Sequence, residues 1–229
     1  MRRQTLSTAC VISLALATLS FGAWVPLTGD PVPISSLPPA GWAVGDKLFV
    51  NFDLFGIGGG GAISPTADTV FVQGGQDNVS GDYGLRFLLS WQAGAGQSIS
   101  ATLTFAVGAL PDGQPIKDVS LHIIGAFTTG TGVVNAGETV WDAPFPGGSL
   151  IGSLSTSKQS GDGDAFLSDY IEFDPINEIY VRKSFSVTGG TNGTGFLAEM
   201  FQFYSQVPEP TTVALLGLGA LALLRRRRA

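Results

Sequence analysis

The sequence predicts an all-β fold: a single antiparallel β-sandwich of jelly-roll type, flanked by an N-terminal signal helix and a C-terminal apolar helix. Three observations carry this expectation. From Asp46 onward, apolar residues recur with a period of two instead of 3.6. Clusters of Gly, Asp, Asn and Pro separate the alternating segments, and no amphipathic helical pattern competes with them. The two ends differ in composition from everything between them.

Residues 1–22 read as a secretory signal peptide. Arg2 and Arg3 give a positive start, Ala9 to Leu19 an apolar stretch, and Ser20-Phe21-Gly22 puts small residues at the two positions that a signal peptidase inspects before a cut between Gly22 and Ala23. The apolar stretch is too short for a permanent span, and adjacent arginines alone do not make a twin-arginine signal, so the Sec machinery is the expected route. The only cysteine, Cys10, lies inside this segment and leaves the mature chain without a thiol. Residues 23–45 form an extended, Pro-rich lead-in, and residues 46–206 the β-sandwich domain.

Within that domain Ile99, Ala101, Leu103, Phe105 and Val107 form an inward row. Further rows are Leu85, Phe87, Leu89 and Trp91; Val119, Leu121 and Ile123; and Ile179, Val181, Phe185 and Val187, interrupted by Lys183. Val50, Phe52 and Leu54, Val70 and Val72, and Leu150 and Leu154 continue the pattern, and Phe201 and Phe203 belong to a last strand. The glycines, among them Gly74-Gly75, Gly147-Gly148 and Gly189-Gly190, are expected at turns.

Residues 207–229 have three parts: Pro208-Glu209-Pro210, an apolar run Thr211 to Leu224, and the cluster Arg225, Arg226, Arg227 and Arg228. The prolines keep an extended segment exposed. As a helix the 14-residue run is about 21 Å long, and the arginines that follow can snorkel and stay on the cytoplasmic side. Three such elements in this order resemble the PEP-CTERM sorting signal of Gram-negative bacteria. The resemblance implies processing at Pro208-Glu209-Pro210 by an exosortase, transient membrane tethering through the apolar helix, and association with extracellular polysaccharide.

Charge and motifs narrow what the sandwich does. Removing both ends takes away six arginines and Glu209, leaving 6 basic and 17 acidic side chains and a net charge of −11. Such a domain repels nucleic acid. His122 is the only histidine, and without a second histidine, a mature thiol or a G-x-S-x-G elbow it has no catalytic partner by motif. Gly56 to Gly61 satisfies G-x-G-x-x-G, but Ala62-Ile63-Ser64-Pro65 cannot open the helix a dinucleotide needs, so the segment reads as a flexible loop.

Asp162 and Asp164 head the densest carboxylate run, with Asp169, Glu172 and Asp174 following, and are weak candidates for a structural Ca²⁺ site. The EF-hand pattern fails there, because Leu167 and Phe173 take the glycine and glutamate places. Solvated acidic turns are the simpler account, and no other cofactor is expected. Trp42, Trp91, Trp141, Tyr83 and Tyr204 are either core aromatics or a sugar-stacking platform. The preferred expectation is a non-catalytic cell-surface or extracellular matrix protein, and the alternative is a carbohydrate-binding module on the same sandwich.

Overall fold

A computed structural model describes residues 23–162 and 167–206. The signal segment, Asp164, the Pro-Glu-Pro motif, the apolar run and the arginine cluster lie outside them. No described helix is long and apolar enough to cross a membrane.

Fourteen strands form two antiparallel sheets packed face to face as a β-sandwich. In chain order they are β1 (Trp24–Pro26), β2 (Val32–Pro33), β3 (Trp42–Val44), β4 (Lys47–Gly59), β5 (Phe71–Asp77), β6 (Tyr83–Ala93) and β7 (Ser98–Ala109). Then follow β8 (Ile116–Ile124), β9 (Phe127–Thr129), β10 (Val133–Trp141), β11 (Leu150–Gln159), β12 (Leu167–Ile176), β13 (Glu178–Thr188) and β14 (Thr194–Gln206). An eight-stranded sheet runs β1-β5-β6-β14-β8-β12, with β2 on β5 and β9 on β14. A six-stranded sheet runs β11-β10-β13-β7-β4-β3. Residues 23–45 thus supply strands to both sheets.

Alternation places the core. The β7 row from Ile99 to Val107 is buried, and so are the expected rows of β6, β8 and β13, meeting between the sheets. Two rows depart from expectation because of bulges. In β4 the register shifts between Val50 and Asp53, where Asn51 adopts φ 59°, so the inward face passes from Lys47 and Phe49 to Phe52 and Leu54 and leaves Val50 out. At the β10–β11 pair Trp141 faces Leu150 while Val140 faces Gly152; Ile151 packs on the core and Leu150 is turned out, 53% exposed.

Two glycine assignments also change. Gly74 and Gly75 lie inside β5, not at a turn: a Cβ on Gly75 would sit 2.4 Å from the Trp24 ring, and one on Gly74 2.4 Å from Val44. Gly56 to Gly59 complete β4, and only Gly60 and Gly61, both at positive φ, make the turn.

Lys183 does not break the β13 row by turning outward. It points into the core, fully buried, and pairs with the equally buried Glu138 on the neighbouring β10. From the opposite sheet Gln202 of β14 donates through Nε2 to the other oxygen of Glu138. Tyr204, two residues on, is also fully buried. Burial pushes the Glu138 carboxyl up and the Lys183 amine down, against their mutual attraction, and burial with the Glu138 charge raises the Tyr204 phenol.

Candidate functional site

The outer face of the six-stranded sheet carries a groove of about 500 Å³. Register builds it. Trp141 of β10 stands opposite Tyr180 of β13, which stands opposite Ala106 of β7. Two residue pairs along, Arg182 faces Thr104, and Thr104 faces Asp53 beyond the β4 bulge. Because alternate residues share a face, all of these point away from the core. Small Ala106 and Thr104 form the floor between larger walls.

The β10–β11 connection closes one end. Asp142 accepts the Ser149 N–H at 2.6 Å, and Gly147 N–H donates to the Pro144 carbonyl at 2.8 Å, tightening the loop. This brings Phe145 edge-on to Trp141, with centroids 5.5 Å apart, and beneath the Arg182 guanidinium at 4.9 Å. Phe145 remains 51% exposed, and Phe55, paired with Thr102 at the far side, 65%. The indole N–H of Trp141 is shielded and has no hydrogen-bond partner among the described residues. Burial and then the neighbouring Glu178 raise the Tyr180 phenol, which therefore stays protonated as a donor. Stacking rings beside a guanidinium, a carboxylate and threonine hydroxyls suit a polar ligand with flat apolar faces.

The outer face of the eight-stranded sheet is different. Trp24 lies over Gly75, edge-on to Phe201 at 5.3 Å and tilted on Phe203 at 5.8 Å, with its indole N–H donated to Gln73. Arg86 lies 5.7 Å from the Phe201 ring centre and pairs through two nitrogens with Glu199 at 2.7 and 2.9 Å. Phe201 and Phe203 are thus buried, yet on the outer side of their sheet.

Beside this lid a cleft of about 280 Å³ collects Asp77, Asp82, Asp118, His122 and Tyr170. Several of these groups are occupied by structure. Asp77 caps its own turn through the Val79 and Ser80 N–H groups at 2.7 and 3.1 Å. Asp118 accepts from the Ser205 hydroxyl and from the Tyr170 phenol, the latter at 3.2 Å. His122 sits on the face opposite Val119, Leu121 and Ile123, with Nε2 3.0 Å from the Ser120 hydroxyl, and burial lowers it to about 4. Burial also raises Asp82, helped by Asp118 and Asp77. Burial pushes the Tyr170 phenol up to about 12.

The other sequence-singled residues fall as follows. Asp162 spends its carboxylate on the Gln159 N–H at 2.7 Å, and its carbonyl accepts from the Lys158 amine at 2.9 Å. No group of three or more His, Cys, Asp or Glu able to hold a metal occurs among the described residues. Of the aromatics weighed as a platform, Trp91 packs in the core against Phe185, Tyr204 is buried there, and Trp42 packs against it. Only Trp141 reaches the groove. Tyr180, Phe145 and Arg182 were missed: Tyr180 and Arg182 are the outward partners of an inward row, and Phe145 sits in a loop that no periodicity reads.

Comparison with known proteins decides the C-terminus. The model of the PEP-CTERM protein-sorting motif matches residues 206–228. The tail is a PEP-CTERM sorting signal. It marks an exported protein that an exosortase processes at the membrane. No curated protein matches the chain. Among solved structures, the chain is similar to TmCBM61 in complex with β-1,4-galactotriose, at 14% identity over 67% of this chain and 88% of that one, TM-score 0.32. It is also similar to the family 11 carbohydrate-binding module of Clostridium thermocellum, with 11% identity, 72% and 99% coverage and TM-score 0.29. A third is bacteriophage CBA120 tailspike protein 4, with 16% identity, 67% and 19% coverage and TM-score 0.28. Likeness of this strength carries no argument about ligand or activity.

Proposed function

We propose that the protein is a non-catalytic cell-surface or matrix component that holds extracellular polysaccharide in the groove of its six-stranded sheet. The observation that carries this reading is the open set of Trp141, Tyr180 and Phe145 beside Arg182 and Asp53. Sugar rings stack on aromatic faces, and their hydroxyls take charged and amide or hydroxyl partners. Among the described residues Asp53 is the one carboxylate lining the groove, whereas most glycoside hydrolases work with a flanking pair of acids. We read the sandwich as jelly-roll type, since the chain crosses between sheets from β6 to β7, from β7 to β8 and from β13 to β14.

In this reading the Sec machinery delivers the chain and signal peptidase cuts between Gly22 and Ala23. That cut leaves Trp24 in place, one residue from the new terminus, where β1 already pairs with β5. An exosortase then acts at Pro208, Glu209 and Pro210, while Arg225 to Arg228 keep the apolar helix in the membrane. Residues 46–206 remain as the displayed domain with its lead-in woven along both sheets.

The binding claim is tested by affinity electrophoresis of the exported protein in gels containing the host's exopolysaccharide. Trp141→Ala with Tyr180→Ala should abolish retardation, and unchanged retardation contradicts the assignment. The sorting claim is separate: Glu209→Ala should leave the tail uncut in a host that carries the enzyme, and normal cutting contradicts the role of Glu209.

A further inference from the structure

Beyond Cys10 the sequence has no cysteine, yet the fold places one reactive set of side chains buried in its core. Lys183 and Glu138 are directly opposed on β13 and β10, and Gln202 reaches them from β14 in the other sheet. One oxygen of Glu138 contacts the Lys183 amine and the other contacts the Gln202 amide nitrogen. The remaining cross-strand neighbours of the three are Leu154, Leu103, Leu85 and Leu121, all buried. The Gln202 carbonyl oxygen and the Tyr204 hydroxyl are buried with no hydrogen-bond partner among the described residues. A purely structural ion pair in such surroundings is normally surrounded by hydrogen bonds that use its partners fully.

We propose that Lys183 and Gln202 form an intramolecular isopeptide bond that staples the two sheets, with Glu138 as the proton shuttle between them. Desolvation lowers the amine and raises the acid, the direction that favours the neutral amine and the protonated carboxyl that this step uses. The Lys183 lone pair attacks Cδ of Gln202, and the new C–N bond forms as the Cδ–Nε2 bond breaks. Glu138 takes a proton from Nζ at one oxygen and delivers one to Nε2 from the other, and Nε2 departs as ammonia. The reaction is acyl transfer, balanced without oxidant, metal or nucleotide, and contact of both reacting groups with the one Glu138 carboxyl supplies the proximity. Its product is a covalent tie between β13 and β14 in a chain that cannot use a disulfide once Cys10 is removed.

Mass spectrometry of the exported protein tests this. Cleavage after Glu199 separates the segment bearing Lys183 from the segment bearing Gln202, so a bond between them appears as a branched product lighter by one ammonia than the sum of the two separate peptides. Lys183→Met and Glu138→Gln should both yield unlinked peptides of full mass, with circular dichroism confirming that at least the Glu138→Gln variant is folded. Unlinked peptides from the folded wild-type protein overturn the proposal. So does a Lys183–Glu138 amide formed with loss of water, or a link that survives Glu138→Gln.

Discussion

The two outer faces of the sandwich are built from the same ingredients and treated in opposite ways. Each displays clustered aromatic residues with an arginine over a phenylalanine: Arg86 with Phe201 on the eight-stranded sheet, Arg182 with Phe145 on the six-stranded one. On the first the chain's own N-terminal strand lays Trp24 over the rings, and a carboxylate, Glu199, neutralises the guanidinium. On the second no strand is laid over the rings: Trp141 and Tyr180 stay partly exposed, and Phe145 and Arg182 are exposed. The lesson is that aromatic content does not make a binding face. A ring sealed by its own chain contributes stability, whereas a ring left open beside polar groups is free to contribute to recognition.

That contrast is broken most forcefully at Trp24. Trp24→Ala uncovers Phe201 and Phe203 and should cost about 2–3 kcal/mol, lowering Tm by roughly 5 °C or more, while polysaccharide retention is unchanged. Calorimetry alongside affinity electrophoresis checks both halves. A loss of retention would mean that the covered face also binds.

The next effect is on pH dependence and also belongs to the covered face. The folded imidazole of His122 stays neutral down to about 4. The unfolded one ionises near its ordinary value, so as pH falls from about 6.5 to 4 the unfolded state gains a proton that the folded state resists. Stability should fall across that window by up to roughly 3 kcal/mol, and denaturant titrations of His122→Gln should lack this component. An identical pH profile for the variant would remove the burial account of His122.

The smallest effect is at Asp82, whose carboxyl is raised by burial first and by Asp118 and Asp77 after it. A raised folded value means that stability declines as pH climbs through that value. Asp82→Asn should therefore gain on the order of 1–2 °C in Tm at neutral pH and nothing in acid, where the wild-type group is already protonated. A loss of stability at neutral pH would show that the ionised form is used by the fold.

Periodicity made the sheets legible in the sequence, and it did so best where a strand is regular: the rows of β6, β7, β8 and β13 are inward as read. It failed where a bulge inserts a residue, since Val50 and Leu150 were each carried past a register shift that no alternation count can see. Lys183 looked like an interruption because its partner Glu138 lies 45 residues away on another strand. The PEP-CTERM motif was legible, being a linear signal read in order. The groove was hardly legible, because Trp141, Tyr180, Phe145 and Asp53 come from three strands and a loop, and only the register brings them together.

The most direct measurement of the account is a comparison of polysaccharide retention by two aromatic variants of the exported protein, Trp141→Ala and Trp24→Ala, under conditions where circular dichroism shows both folded. The account predicts that Trp141→Ala weakens retention by about tenfold, the worth of one lost stacking ring, and that Trp24→Ala retains as the wild type does. Retention that survives Trp141→Ala and is lost in Trp24→Ala would contradict it and move the binding face to the eight-stranded sheet.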